Sequence, residues 1–416
     1  MKVFAIPTIC GAFNAVGSLV FFGFFAYFYG DPALARLALV QAVIAMAQMV
    51  MVPQCWLYVL SGVNNDELEQ RYWAAVVLEV ICYLSGLVVL LGFACLPLAL
   101  VVEHRMEALF FYCALGLSAM TSHQGFFRAR HDWFSLAAWM LLPTATRLVL
   151  LTLSALDVVQ PMAGLQPAAW FVLLYFLVPE ALRFLVINLP RILPRISRIR
   201  VANIKAAARS VAHNWLYDMG SGFCENIDKV FVGLLVNPAI FVVYFFARRI
   251  GNGISIVMEP YFAEMYRRLV TRSVTNARNY MQKTLFLGNV IGLGVAVLGS
   301  ALILILRDIE FIRTYIPPSV AGNWWIFFII VIGDGGVAGS RWSRFVFQGG
   351  RISVTFLLVR IALKFLFAAG LLLNDLLGGY AVAIMFILIW LLEYAYVAAR
   401  ARGLDRYAET QVNRAA

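Results

Sequence analysis

Apolar side chains run along the chain in unbroken stretches of about 20 residues or more, separated by short polar breaks. Each stretch is long enough to cross a hydrocarbon core of roughly 30 Å as a helix. The breaks delimit helices near 5–28, 35–59, 73–98, 107–126, 133–156 and 169–189. After a polar, basic interval, a second set follows near 211–236, 240–264, 282–306, 324–348, 352–373 and 377–399. A transmembrane β-barrel would alternate apolar and polar residues over short segments, because its lumen side is wet, and that alternation is not seen. The pattern therefore predicts an all-α integral membrane protein with about 12 transmembrane helices.

Composition agrees with this reading. Hydrophobic residues make up 62% of the 416 positions and charged ones 13%, with a mean hydropathy of +0.83. The first residues, Met1 to Phe4, carry one positive charge and lead into an apolar run through Tyr29 without a small-residue cleavage site, so a retained first helix is expected. The six cysteines stand singly inside predicted helices with no C-x-x-C pair, and the four histidines are scattered; no metal site and no cofactor are expected.

The net charge of +11 points away from nucleic acid once its placement is considered. With the N-terminus inside, Lys2, Arg71, Arg128, Arg130, the stretch 191–209, 267–283, Arg351 and the terminal arginines fall on the cytoplasmic side. The opposite loops hold only Arg36, Arg105, Arg307 and Arg313. This asymmetry predicts a multi-pass protein of a bacterial inner membrane with both termini cytoplasmic. The segment RILPRISRIRVANIKAAAR carries six basic residues and no acidic one, and is expected to lie against anionic lipid headgroups. It divides the chain into a six-helix bundle at 1–190, a basic linker at 191–210, a second bundle at 211–400 and a cytoplasmic tail at 401–416.

A weak internal repeat supports the two halves. Asp31-Pro32-Ala33 opens the second helix, which runs to Pro53; Asn237-Pro238-Ala239 opens the eighth, which runs to Pro260. Because six is even, such halves enter the membrane in the same sense, as parallel repeats. The two bundles, the basic linker, this turn, and the text from Glu225 through Asn226, Asp228 and Gly233 to Ala239, followed by Tyr244 and Ala247-Arg248-Arg249-Ile250, resemble the multidrug/oligosaccharidyl-lipid/polysaccharide exporter superfamily. Within it the chain looks most like the O-antigen and capsule-type polysaccharide flippases. That resemblance implies alternating-access transfer of a polyprenyl-diphosphate-linked oligosaccharide to the periplasmic leaflet, with membrane lipids, a glycan polymerase and other polysaccharide-assembly proteins as partners.

Ionised residues within the membrane need a partner, a wet cavity or a task. Arg147, Arg183, Arg248, Arg249, Arg341, Arg344, Arg360 and Lys364 lie centrally, as do Glu180, Asp218, Glu225, Asp228 and Asp334. Glu180 with Arg183 and Glu225 with Lys229 are spaced to neutralise each other along one helix face. Arg341 with Arg344, and Arg360 with Lys364, are like charges one turn apart, which suits an anion-binding cavity. Arg147, Arg248, Arg249, Arg341, Arg360 and Lys364 are therefore the expected substrate-binding set, lining a chamber between the halves; snorkelling or pairing with Asp218 and Asp228 is the structural alternative. Glu225 or Asp334 is expected to carry an ion in a coupled cycle. Gly333, Gly335 and Gly336 around Asp334 permit either close packing or bending.

No catalytic residue is expected. The chain lacks G-x-x-x-x-G-K-[ST], H-E-x-x-H and G-x-S-x-G, which argues against an enzyme. The competing readings are a drug or cation exporter of the same superfamily, which should favour acidic and aromatic cavity residues, and a membrane glycan polymerase or ligase.

Overall fold

In lipid, backbone N–H and C=O groups must find partners within the chain, and a helix meets that demand segment by segment. The computed structural model describes residues 2–53, 55–60, 65–94, 105–156, 158–160, 164–192, 201–271, 277–309, 316–343 and 354–415. It is helical throughout, with no strand among the described residues. Each predicted span has a helical counterpart. The spans include Asn65–Ala94, Arg105–Ser118, Trp133–Ala155, Val201–Leu235, Pro238–Thr271, Ala277–Leu306, Trp324–Ser343, Val354–Leu371 and Gly379–Ala415. Six described segments, Thr8–Met51, Asp66–Gly92, Trp133–Ser154, Pro167–Asn188, Gln282–Leu306 and Gly379–Ala399, are long and apolar enough to cross a membrane.

The first two predicted spans form one helical run, Lys2–Met51, interrupted at Gly30 with φ 79° and ψ 167°. The 44 residues of Thr8–Met51 would extend about 66 Å as one straight rod, twice the hydrocarbon thickness. The break at Gly30 resolves this mismatch, and only glycine adopts that backbone conformation without strain. The second half of the repeat shows the same interruption, between Leu235 and Pro238, where Asn237 Oδ1 accepts the Ala239 N–H at 2.8 Å. The prolines that end the repeat behave differently: Pro53 follows the end of its helix, whereas Pro260 lies inside Pro238–Thr271. Of the expected linker, 201–210 are helical and 193–200 lie outside the described residues.

The sixth predicted span, 167–192, alternates α and π turns, with π-helical segments at Leu173–Leu177 and Phe184–Asn188. Pro179 follows the first of them and has no N–H to return to the Tyr175 carbonyl four residues back.

The chain divides into two compact units. One comprises Leu39–Asn226, the other Met1–Ala38 with Ile227–Ala416. In the first, Tyr72, Trp73, Phe126, Phe127, Leu136 and Trp139 form a buried core. Beside it Glu79, fully buried, acts as a tertiary cap. Its carboxylate accepts the Ser122 N–H at 3.1 Å, the Ser122 hydroxyl at 2.7 Å, the Thr121 N–H at 3.1 Å and the Cys55 N–H at 3.2 Å. It thereby satisfies amides that start the Ser122–Ala129 helix. At the start of the Asn65–Ala94 helix, Glu67 pairs with Arg71 at 2.6 Å and Glu69 with Arg130 at 2.8 Å.

In the second unit the Trp324–Ser343 helix is the hub. A Cβ on Gly335 would come within 2.3 Å of the Gly292 Cα and 2.6 Å of the Gly288 carbonyl oxygen. The Ala277–Leu306 helix therefore crosses it backbone to backbone. Of the two roles open to Gly333, Gly335 and Gly336, the helix uses close packing, since its α-helical backbone continues unbroken through them. Gly335→Ala should destabilise the protein by about 1–3 kcal/mol through overpacking. Gly294, on the same Ala277–Leu306 helix, has open space around its Cβ position, so Gly294→Ala should leave the thermal midpoint in detergent unchanged.

Candidate functional site

The Arg248 guanidinium, 1% exposed, lies between two carboxylates from other helices. Its Nη2 is 3.1 Å from Asp228 Oδ2, and its Nη1 donates to Asp334 Oδ1 in a close contact. Asp228 also receives the Lys364 ammonium, Nζ to Oδ2 at 2.7 Å, while its Oδ1 accepts the Lys229 N–H at 2.8 Å. Four helices thus contribute one charge each: Asp228 from Val201–Leu235, Arg248 from Pro238–Thr271, Asp334 from Trp324–Ser343 and Lys364 from Val354–Leu371. Two cations face two carboxylates, so the four groups in direct contact balance one another, with Lys229 buried next to Asp228 along the same helix.

The approach of Asp334 depends on Gly251. A Cβ at that position would lie 2.1 Å from Asp334 Oδ2, so any larger residue would push the carboxylate away from Arg248. Asp334 Oδ2 is buried and has no hydrogen-bond partner among the described residues, which leaves it an open acceptor. One turn beyond Lys364 toward the N-terminus, Arg360 is also 1% exposed; its Nε lies 3.8 Å from Glu393 Oε1 and its guanidinium 5.9 Å from the Phe356 ring. Arg249 points elsewhere: its Nη1 donates to the Ser18 hydroxyl at 2.6 Å, and its guanidinium stacks over Phe22 at 4.1 Å and Phe245 at 4.8 Å.

Arg147 belongs to the other unit. Its Nη2 is 3.0 Å from Glu180 Oε1, and its Nε donates to the Tyr175 carbonyl at 2.9 Å, the carbonyl that Pro179 leaves open. Glu180 also meets Arg183 at 2.7 Å, as the sequence spacing predicts. The Arg341 backbone is helical, but its side chain, that of Asp218 and all of Arg344 lie outside the described residues. Glu225 is half-buried on the helix that carries Asp228.

The structure therefore brings together Arg248 and Lys364 of the expected binding set with Asp334 of the expected coupling pair, and keeps Arg249 and Arg360 nearby on the same helices. Four of the expected cations, Arg147, Arg248, Arg360 and Lys364, each meet a carboxylate from another helix. Sequence reasoning passed over Glu393 and Glu79. The signal was a lone carboxylate within an otherwise uncharged apolar run, which a search for spaced pairs does not register.

No protein-family model matches the sequence, and no curated protein matches it. Solved structures match closely in fold. The chain is similar to an inward-facing multidrug resistance MATE family transporter of the MOP superfamily, at 14% identity and a TM-score of 0.63 over 97% of this chain and 98% of that one. It is similar to a eukaryotic MATE transporter, at 13% identity and a TM-score of 0.62 over 98% and 97%. A Vibrio cholerae MATE transporter in its bent form gives 13% identity and 0.57 over 98% and 100%. Likeness at these identities and TM-scores shows a shared all-α membrane fold.

The quartet yields a stability prediction. Asp228→Asn strips both Arg248 and Lys364 of a carboxylate and should cost about 3–5 kcal/mol. Adding Lys364→Met should recover part of that loss, as read by thermal unfolding of the two variants in detergent.

Proposed function

We propose that this chain is a membrane transporter working by alternating access, and that it exports an organic cation or cationic drug in exchange for a proton or sodium ion. The charge balance of the quartet carries this reading. A diphosphate site needs cations in excess, whereas Arg248 and Lys364 are already matched by Asp228 and Asp334. Carboxylates whose counter-charges are the protein's own side chains suit cation exchange. A proton or metal ion arriving at Asp334 weakens its hold on Arg248 and so alters a guanidinium that three helices share. The names of the similar structures, MATE transporters of multidrug resistance among them, support the same class of cargo. In this reading the protein spans a bacterial inner membrane with both termini cytoplasmic, and 1–190 and 211–400 form its two bundles.

A second reading, flipping of a polyprenyl-diphosphate-linked oligosaccharide with polysaccharide-assembly proteins as partners, is favoured by the residue text from Glu225 to Ala239. It keeps Arg147, Arg248, Arg249, Arg341, Arg360 and Lys364 as the binding set, with Glu225 or Asp334 for ion coupling.

Proteoliposomes holding the purified chain distinguish the two. With an imposed proton or sodium gradient, ethidium should accumulate against its own gradient, and Asp334→Asn should reduce the rate at least about tenfold, the loss of an interaction worth about 1.4 kcal/mol or more. Transfer of a fluorescent lipid-linked oligosaccharide without ethidium movement would replace the first reading by the second.

A further inference from the structure

The charges in the Leu39–Asn226 unit do not balance as the quartet does. Arg147 and Arg183 share a single carboxylate, Glu180, at 3.0 and 2.7 Å. Among the described residues, Glu180 is the one carboxylate within ion-pair distance of either guanidinium. One positive charge is therefore left over inside an apolar bundle, where an uncompensated ion is costly.

The neighbouring groups are arranged for an anion. The remaining partners of the two guanidiniums are carbonyls and ring faces: Tyr175 and Phe176 for Arg147, Leu117 and Trp139 for Arg183. The Tyr175 carbonyl is open because of Pro179, and the Leu117 carbonyl because it lies in the last turn of its helix. These contacts orient the guanidiniums without cancelling their charge. Among the described residues, Arg183 Nε and the Asn188 amide nitrogen are buried donors without hydrogen-bond partners. Asn188 closes the second π-helical segment, immediately after Arg183, and π turns recur where helices carry function. The side chain of Arg147 is 17% exposed against 6% for Arg183, so Arg147 is the less buried of the two guanidiniums.

We infer that Arg147, Arg183 and Glu180 form a binding site for one small monovalent anion, either an inorganic halide or a carboxylate of acetate's size, too confined to admit a six-carbon sugar acid, seated on Arg147. The site lies within one unit and is separate from the quartet. Its existence does not depend on what the chain transports.

Thermal unfolding of the purified full-length chain in detergent tests this at constant ionic strength, with sodium gluconate replaced stepwise by sodium chloride or by sodium acetate. Saturable stabilisation is expected, raising the midpoint by roughly 2–4 °C. Saturation by chloride identifies an inorganic anion; saturation by acetate alone identifies a carboxylate. Arg147→Gln leaves a one-to-one pair of Glu180 with Arg183, so in gluconate it should be at least as stable as the parent and should lose the anion response. Bromide should also quench Trp139, which stacks at 4.3 Å on Arg183, saturably and with the same midpoint concentration as its stabilising effect. The Trp139→Phe variant supplies the background from the other tryptophans. Equal midpoints in gluconate, chloride and acetate, or an anion response undiminished in Arg147→Gln, would overturn the inference.

Discussion

A charge inside a bilayer has no water to fall back on, and this constraint organises the Ile227–Ala416 part of the chain. Removing one partner of a buried ion pair costs about 3–5 kcal/mol, against about 0.6 kcal/mol for a typical hydrogen bond between transmembrane helices. The ion pairs therefore decide which helices must be neighbours. Arg248 fixes the helices of Asp228 and Asp334 beside its own, Lys364 adds a further one, and Arg360 with Glu393 ties in the last. Glycine then does the steric part. Gly251 makes room for the Asp334 carboxylate, and Gly335 lets the Ala277–Leu306 helix come near enough to support the helix on which that carboxylate stands.

Much of the fold was legible in the residues because lipid imposes a simple rule on them: a long apolar run must be a helix. The predicted 282–306 and 324–348 correspond to Ala277–Leu306 and Trp324–Ser343. The centre of the site was half legible. Arg248, Arg360, Lys364 and Asp334 stood out as charges where charges are expensive, and the Glu180 to Arg183 pair followed from a three-residue spacing. Asp228 was named as an alternative partner for the cations, and Arg248 and Lys364 do meet it, but which cation meets which carboxylate did not follow, because helical periodicity relates only residues on one helix. Asp228 and Lys364 are 136 positions apart, Arg248 and Asp334 86. The unit boundaries at Ala38 and Asn226 had no signal either, since both fall inside continuous helices, Lys2–Met51 and Val201–Leu235.

The two clusters solve the problem of buried charge differently. In the quartet, opposite charges are equal in number and the groups are closed to solvent; what such a site can do is change partners. Around Glu180 the cations exceed the carboxylates, and the polar backbone that accompanies them comes from a proline and from widened helical turns. A helix that alternates α and π turns sacrifices regular hydrogen bonding for carbonyls aimed outward, and here one of those carbonyls holds a guanidinium in position.

The pairing of Arg360 with Glu393 has a consequence for how the protein is made. Ribosomes deliver the chain from its N-terminus, so the Val354–Leu371 segment enters the bilayer before the residue that balances Arg360 exists. Arg248 likewise precedes Asp334. Arg248 and Lys364 both find Asp228 already synthesised, so Arg248 awaits only the second of its two carboxylates. Until Glu393 arrives, the Val354–Leu371 segment carries its Arg360 guanidinium uncompensated, at a cost of about 2.5–3.5 kcal/mol near the bilayer centre, and the last helix of the chain removes that cost.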